Sequence, residues 1–308
     1  MTMTYVRRGT GKPLLLLHGI GSSHHSWDLI IDGLAAERDV IAVDLPGFGN
    51  TPPLTGETSI RTLADAVTGF LAENDLTGID AVGSSMGARL VLELARRGGV
   101  LGAVVSLDPG GFWQGWEVPL FYYSVRLSAQ LVGTLQPALP FLTGNPVGRT
   151  LLLAQFSAAP WKIPAPVALQ ELRTFTPTPA FTELLDDLAH GEKQQGAPAG
   201  SIRQPLVIGW GRQDLVCLPG QSKRALSLFP DAHLHWFSGC GHFPQLDAPQ
   251  ETTQLILDVT DGTYQPQTDQ SMEQAVAPKP KQFSNALIGV GAVITVVGLF
   301  IIFRPNSR

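Results

Sequence analysis

Between residues 79 and 99 the sequence runs from an apolar lead-in through Gly83-Ser84-Ser85-Met86-Gly87 to an amphipathic stretch that stops at Arg96-Arg97-Gly98-Gly99. This order predicts a strand, a sharp turn and a helix. Glycines two residues before and two after a serine remove the side chains that would collide with neighbouring backbone if the serine sat in a strained turn with its hydroxyl outward. Past the turn, Met86, Leu90 and Leu94 recur every four residues with Val91 and Ala95 beside them, the stripe of a helix packed on a core, and glycines end it. Ser85 is therefore expected at a helix N-terminus, where free backbone N–H groups and the helix dipole favour negative charge.

A serine in that position acts as a nucleophile only if a base takes its proton, an acid holds the base, and donors meet the developing oxyanion. Candidates for each lie along the chain. His18-Gly19-Ile20-Gly21 follows the apolar run 14–17, and Asp44-Leu45-Pro46-Gly47-Phe48-Gly49 follows another at 39–43. Gly211-Arg212-Gln213-Asp214 follows 205–210, and Gly241-His242 follows 232–237. Together with the Ser85 turn, and in the order Ser, Asp, His, these motifs make the chain resemble the α/β-hydrolase family over roughly residues 4–260.

The resemblance implies an α/β fold: a mostly parallel sheet flanked by helices, with a helical cap inserted. It also implies a triad of Ser85 as nucleophile, His242 as base and Asp214 as acid. The backbone N–H groups of Ile20 and Met86 would hold the oxyanion, and His18 would orient its loop by a hydrogen bond. Asp44 and Asp108 are the rival acids. In the family pattern the first is structural, whereas some relatives place the acid after the strand that ends before Asp108. His242 lies 28 residues after Asp214 in a glycine-flanked loop, while His233 and His235 fall within a strand. His18, His24 and His25 do not read as a metal cluster, since adjacent helical residues project about 100° apart. No metal or organic cofactor is called for.

Strands are expected at 4–8, 14–18, 39–44, 103–107, 205–210 and 232–237, and a helix at 59–74 capped by Ser59. Their alternation predicts a parallel sheet with right-handed crossovers. The stretch ahead of residue 14 is too short for all the strands that family members carry there, so one edge strand is expected to be missing. From 112 to 203 the alternation stops, and ten aromatic residues accumulate from Trp113 to Phe181, with helices expected at 119–133 and 164–174. Most of these aromatics should form the core of a cap, and the rest should line an apolar pocket for an acyl chain or aromatic group. The organisation predicted is a hydrolase core (1–111 and 204–260), a cap (112–203), a flexible linker (261–285) and a transmembrane helix (286–303).

A net charge of −5 without a basic stripe excludes a nucleic-acid partner. Cys217 and Cys240 fit no metal spacing and imply no disulfide framework. No apolar stretch follows Met1, so no secretory signal is expected. Residues 286–303 carry no charge and would span ~27 Å as a helix at ~1.5 Å per residue, close to the hydrocarbon core of a bilayer. A C-terminal membrane anchor with the catalytic domain in the cytoplasm is the expectation. Lys279 and Lys281 before the span balance Arg304 and Arg308 after it and leave orientation open, and a cleaved lipid-anchor signal is the weaker alternative. The function expected is hydrolysis of a carboxylic ester with an apolar acyl or aromatic group. Carbon–carbon bond hydrolysis, cofactor-free peroxidase or perhydrolase chemistry and acyl transfer are alternatives on the same scaffold. A catalytically inactive binding protein would not require Ser85, Asp214 and His242 all intact.

Overall fold

The computed structural model describes residues 2–267, so the segment 286–303 lies outside the described residues. Strands β1 (Tyr5–Arg8), β2 (Pro13–Leu17), β3 (Asp39–Val43), β4 (Ile79–Ser84), β5 (Leu101–Leu107), β6 (Leu206–Gly211) and β7 (His233–Phe237) form one sheet. Their spatial order is β1-β3-β2-β4-β5-β6-β7, with β1 antiparallel to β3 and every other pair parallel. One antiparallel edge strand thus precedes the parallel series, in keeping with the short N-terminal stretch.

The run Leu14 to Leu17 is fully buried because both faces of the sheet are covered. Successive strand side chains point to opposite faces, so Leu15 and Leu17 join Ile41, Val43 and Ala81 in one cluster, while Leu14 and Leu16 join Val40, Ala42 and Val82 in another. Helices α1 (Ile31–Ala35), α2 (Ile60–Glu73) and α3 (Met86–Arg97) follow β2, β3 and β4. α2 opens as the sequence predicted: the Ser59 side chain accepts from the Thr62 N–H, and the Thr62 hydroxyl accepts from the Ser59 N–H.

Between β5 and β6 lie α4 (Glu117–Thr134), α5 (Leu139–Thr143), α6 (Pro146–Leu153), α7 (Ala165–Thr174) and α8 (Pro179–His190). The sequence reading singled out α4 and α7 and left α5, α6 and α8 unassigned. Each of those three carries a proline in its first turn, as α7 also does, so proline alone does not separate them from the helices that were read. Proline breaks a helix interior, but it starts one readily because the N–H it lacks has no intrahelical acceptor there. After β6 come α9 (Ser222–Leu228), α10 (Pro244–Asp247) and α11 (Pro249–Thr260), the last packing Leu255, Ile256 and Val259 into the second cluster.

The linker expected to begin at residue 261 is instead held against the sheet as far as residue 267. Thr263 and Tyr264 donate backbone N–H groups to the Asp258 carbonyl. Gln267 Oε1 accepts from the Trp236 N–H at 2.9 Å, and its amide donates to the Trp236 carbonyl at 3.1 Å, filling a place on the exposed β7 edge. Among the described residues no helix is long and apolar enough to cross a membrane.

Candidate active site

β2 has β3 on one side and β4 on the other, so the chain leaves these strands in diverging directions and opens a crevice at their carboxyl ends. Ser85 sits in that crevice at φ 56°, ψ −112°, a left-handed backbone that costs a non-glycine residue free energy and turns the side chain outward. The flanking glycines are there for space. A Cβ on Gly83 would lie 2.1 Å from the Gly87 carbonyl oxygen, and one on Gly87 would lie 2.2 Å from the Leu17 oxygen on β2.

The structure brings Ser85, His242 and Asp214 into one hydrogen-bonded chain. His242 Nδ1 lies 2.8 Å from Asp214 Oδ2 and carries the proton of that bond, which leaves Nε2 to accept from Ser85 Oγ, also at 2.8 Å. All three side chains are buried. Asp214 Oδ1 accepts from the N–H groups of Val216 (2.7 Å) and Cys217 (2.9 Å), so its orientation is locked on both oxygens. The histidine loop is clamped from the cap: the His242 N–H donates to the Phe156 carbonyl at 2.8 Å. Asp247 accepts from the N–H groups of Gly241 at 2.7 Å and Ala158 at 2.8 Å.

On the other side of Ser85, burial pushes the His18 imidazole down to about 4, so the ring is neutral. Its Nδ1–H donates to the Gly19 carbonyl at 2.7 Å, and its Nε2 accepts from the Leu45 N–H at 2.9 Å. A planar trans peptide directs its C=O and N–H oppositely, so pinning the Gly19 oxygen points the Ile20 N–H away from His18. Gly19 itself abuts Ser85: a Cβ there would lie 3.7 Å from Ser85 Oγ. Met86 is the first residue of α3, and its N–H has no intrahelical acceptor.

The rival acids lie elsewhere in the network. Asp44 accepts from the His24 N–H and Nδ1, both at 2.8 Å, and from the Asn50 N–H at 2.9 Å, tying two loops together. Burial works against its charged form, yet these donors hold its carboxyl below the usual range. His24 and His25 stack but serve different carboxylates, Asp44 and Asp28. Asp108 is fully buried at φ 48°, accepts from the Gly211 N–H at 2.8 Å, and turns its carboxyl toward that of Asp214. Burial, followed by the charge of Asp214, pushes it well above the ordinary carboxylate value. Asp214, Cys217 and His242 place ligand-type atoms within 4.8 Å of one another. Burial raises the Cys217 thiol well above its ordinary value, and the triad hydrogen bonds occupy the aspartate and the imidazole, a donor set suited to proton transfer rather than to a cation.

Residues 14–255 match the model of the Alpha/beta hydrolase family. The chain belongs to that family. The dihydrolipoyllysine-residue acetyltransferase component of the acetoin cleaving system of Cupriavidus necator is 30% identical over 263 residues, covering 82% of this chain and 64% of that protein. The chain therefore spans less than two thirds of that relative. A 2-hydroxy-6-oxo-2,4-heptadienoate hydrolase of Pseudomonas putida is 26% identical over 263 residues, covering 81% of this chain and 89% of its own length. Among solved structures, a thermophilic esterase from Thermogutta terrifontis superposes with a TM-score of 0.66 at 18% identity, over 85% of this chain and 94% of that one.

In this α/β-hydrolase the cap places aromatic side chains around the loop that follows β2. Phe156 stacks on Phe243 at 5.8 Å, Phe175 meets Phe156 and Phe181 edge-on, and Phe243 lies 5.0 Å from the His242 ring. A Cβ on Gly21 would strike Phe175 and Phe181, so loop and cap are in direct contact. The cap aromatics do not divide between cap core and pocket alone, as the sequence predicted. Trp116, Tyr123, Phe141 and Trp161 face solvent. Sequence reasoning also passed over Glu171 on α7, a buried carboxyl that accepts from Ser22 Oγ at 2.9 Å and ties the cap to the loop that follows β2. Only its charged type within an apolar helix face hinted at it.

Proposed function

We propose that the protein is a serine hydrolase that cleaves a carboxylic ester with an apolar acyl or aromatic group through an acyl-enzyme. The observation that carries this reading is the unbroken chain from Ser85 Oγ through His242 to Asp214, with both links at 2.8 Å. Ser85 Oγ attacks the ester carbonyl as His242 Nε2 takes its proton. The resulting oxyanion is held by the N–H groups of Ile20 and Met86, and its collapse expels the alcohol, which receives the proton from Nε2. Water then repeats the sequence on the acyl-enzyme and releases the acid. Asp214 accepts the Nδ1–H bond, orients the ring and supports the imidazolium. Phe156, Phe175, Phe181 and Phe243 offer the acyl group an apolar wall. Neither a metal nor an organic cofactor takes part in these steps. The uncharged stretch 286–303 would anchor this domain to a membrane as a single C-terminal span, with the catalytic domain on the cytoplasmic side.

The 2-hydroxy-6-oxo-2,4-heptadienoate hydrolase relative favours a second reading, hydrolysis of a carbon–carbon bond by the same triad. A panel of p-nitrophenyl esters of increasing acyl length and of vinylogous diketones separates the two. The ester reading expects kcat/KM on the better esters of about 10⁴ M⁻¹s⁻¹ or more. Diketone cleavage with no ester turnover would replace it.

A further inference from the structure

Ten large apolar side chains are exposed among the described residues, and eight of them belong to the cap. Along and just before α4, Trp116, Tyr123, Leu127 and Leu131 fall on one stripe, opposite the buried face of Phe121, Val125 and Ala129. On α6, Val147 and Leu151 are exposed one turn apart. Gln155, one turn beyond Leu151, bonds Ser124 and Ser128 of α4, so the chain leaving α6 packs against α4. Phe141, 79% exposed, and Trp161 extend the surface at either end of α6. The aromatic rings nearer the triad are packed on one another, and exposed apolar side chains gathered on one side of a domain mark an interaction site.

Charge says what the face meets. From residue 118 to residue 170 there is no Asp or Glu, while Arg126, Arg149 and Lys162 are present, in a chain whose net charge is −5. Arg126 and Lys162 are exposed beside the apolar rows, and the acid that borders them, Asp186 of α8, bonds the Tyr122 hydroxyl next to Arg126. An ordinary soluble face mixes both signs. A second copy of the chain would set these cations against each other, whereas an anionic lipid surface accepts both the cations and the Trp, Tyr and Leu side chains. The sequence adds that 18 residues separate residue 267 from the uncharged stretch 286–303, enough to reach ~60 Å if extended.

We infer that the outer face of α4 and α6 is a docking surface for an anionic bilayer, laying the cap on the membrane so that the enzyme takes an ester substrate out of the lipid. This deepens the ester-hydrolase reading, on which only its kinetic consequence rests. Cap residues 156–158 hold the His242 loop, so the docked face lies one layer from the triad.

The test uses the full chain in vesicles of phosphatidylcholine and phosphatidylglycerol, with or without brominated acyl chains. Brominated lipid should quench the tryptophan fluorescence, and Trp116→Phe combined with Trp161→Phe should remove at least about half of that quenching, because Trp27 and Trp210 are buried in the core. Leu127→Glu with Leu131→Glu alters only exposed positions. This variant should lower kcat/KM on a vesicle-borne ester about tenfold while leaving a soluble ester within about twofold. Vesicle-bound protein with no quenching at Trp116 or Trp161 would overturn the proposal. So would equal activity loss on both substrates, or a dimer of the parent that the glutamates dissociate. If the parent turned over neither ester, the hydrolase reading would fail while the quenching still decided the docking surface.

Discussion

Asp108 and Asp214 approach each other at the carboxyl ends of β5 and β6, and their surroundings differ. Asp214 accepts two backbone N–H groups and the imidazole N–H. Burial, then the nearby Asp214 carboxylate group, raises the Asp108 carboxyl well above its ordinary value and so favours its neutral form, which has an O–H to offer Asp214. An amide supplies a donor of the same shape. Asp108→Asn should therefore keep kcat/KM within about threefold and leave the acidic limb of its pH profile in place, whereas Asp214→Asn should lose about 10⁴-fold. If Asp108→Asn instead moved that limb to lower pH, Asp108 would be an anion acting on His242. Glu171 gives a second pH-dependent expectation. Burial raises its carboxyl from 4.5 to about 7. Because the folded value exceeds the unfolded one, the fold binds the proton more tightly, and stability is lost as pH climbs from 4.5 to about 7. Glu171→Gln should be more stable than the parent by up to about 3 kcal/mol at pH 8 and no more stable below pH 4.5, as read by thermal unfolding. Equal gains at both values would remove the buried carboxylate from the account. At this scale the sequence made Ser85, His242 and Asp214 readable because the chemistry dictates their glycine flanks and their order. The states of Asp108 and Glu171 depend on contacts across more than a hundred residues of chain and leave no local mark.

Among the elements, the turn between β4 and α3 is the one whose sequence and geometry agree most closely, since the glycines that signal it are required by backbone contact. Gly87→Ala would drive a Cβ to 2.2 Å from the Leu17 oxygen and force β2 and α3 apart. It should cost about 3–5 kcal/mol in a denaturant or thermal melt. Gly69, inside α2 with open space around it, is the control: Gly69→Ala should stabilise by about 0.5–1 kcal/mol, as expected for a helix-interior glycine. A Gly87→Ala melt indistinguishable from the parent would mean that the close approach is not required. The central strands β2, β5 and β6 were legible as apolar runs, which only a sheet covered on both faces buries. The cap was legible in outline only. Its short helices start at prolines, and its aromatic residues carry no signal that separates a core ring from an exposed one.

For the whole molecule, the motif order located the hydrolase core and the insertion, but the outward face of the cap and the docking of residues 261–267 emerged only from the fold. Those residues close the β7 edge through Gln267, so a chain ending after residue 267 should fold and keep the parent's turnover on a soluble ester. An insoluble or inactive truncated chain would mean that residues beyond 267 belong to the catalytic fold. The central claim is an activated serine at residue 85, and the most direct measurement is reaction of the full-length protein with a fluorophosphonate probe followed by mass mapping of the adduct. The account predicts stoichiometric modification at Ser85, none in Ser85→Ala, and labelling slowed by at least about a thousandfold in His242→Ala. A folded parent protein that stays unlabelled, or carries the adduct on another residue, would contradict it.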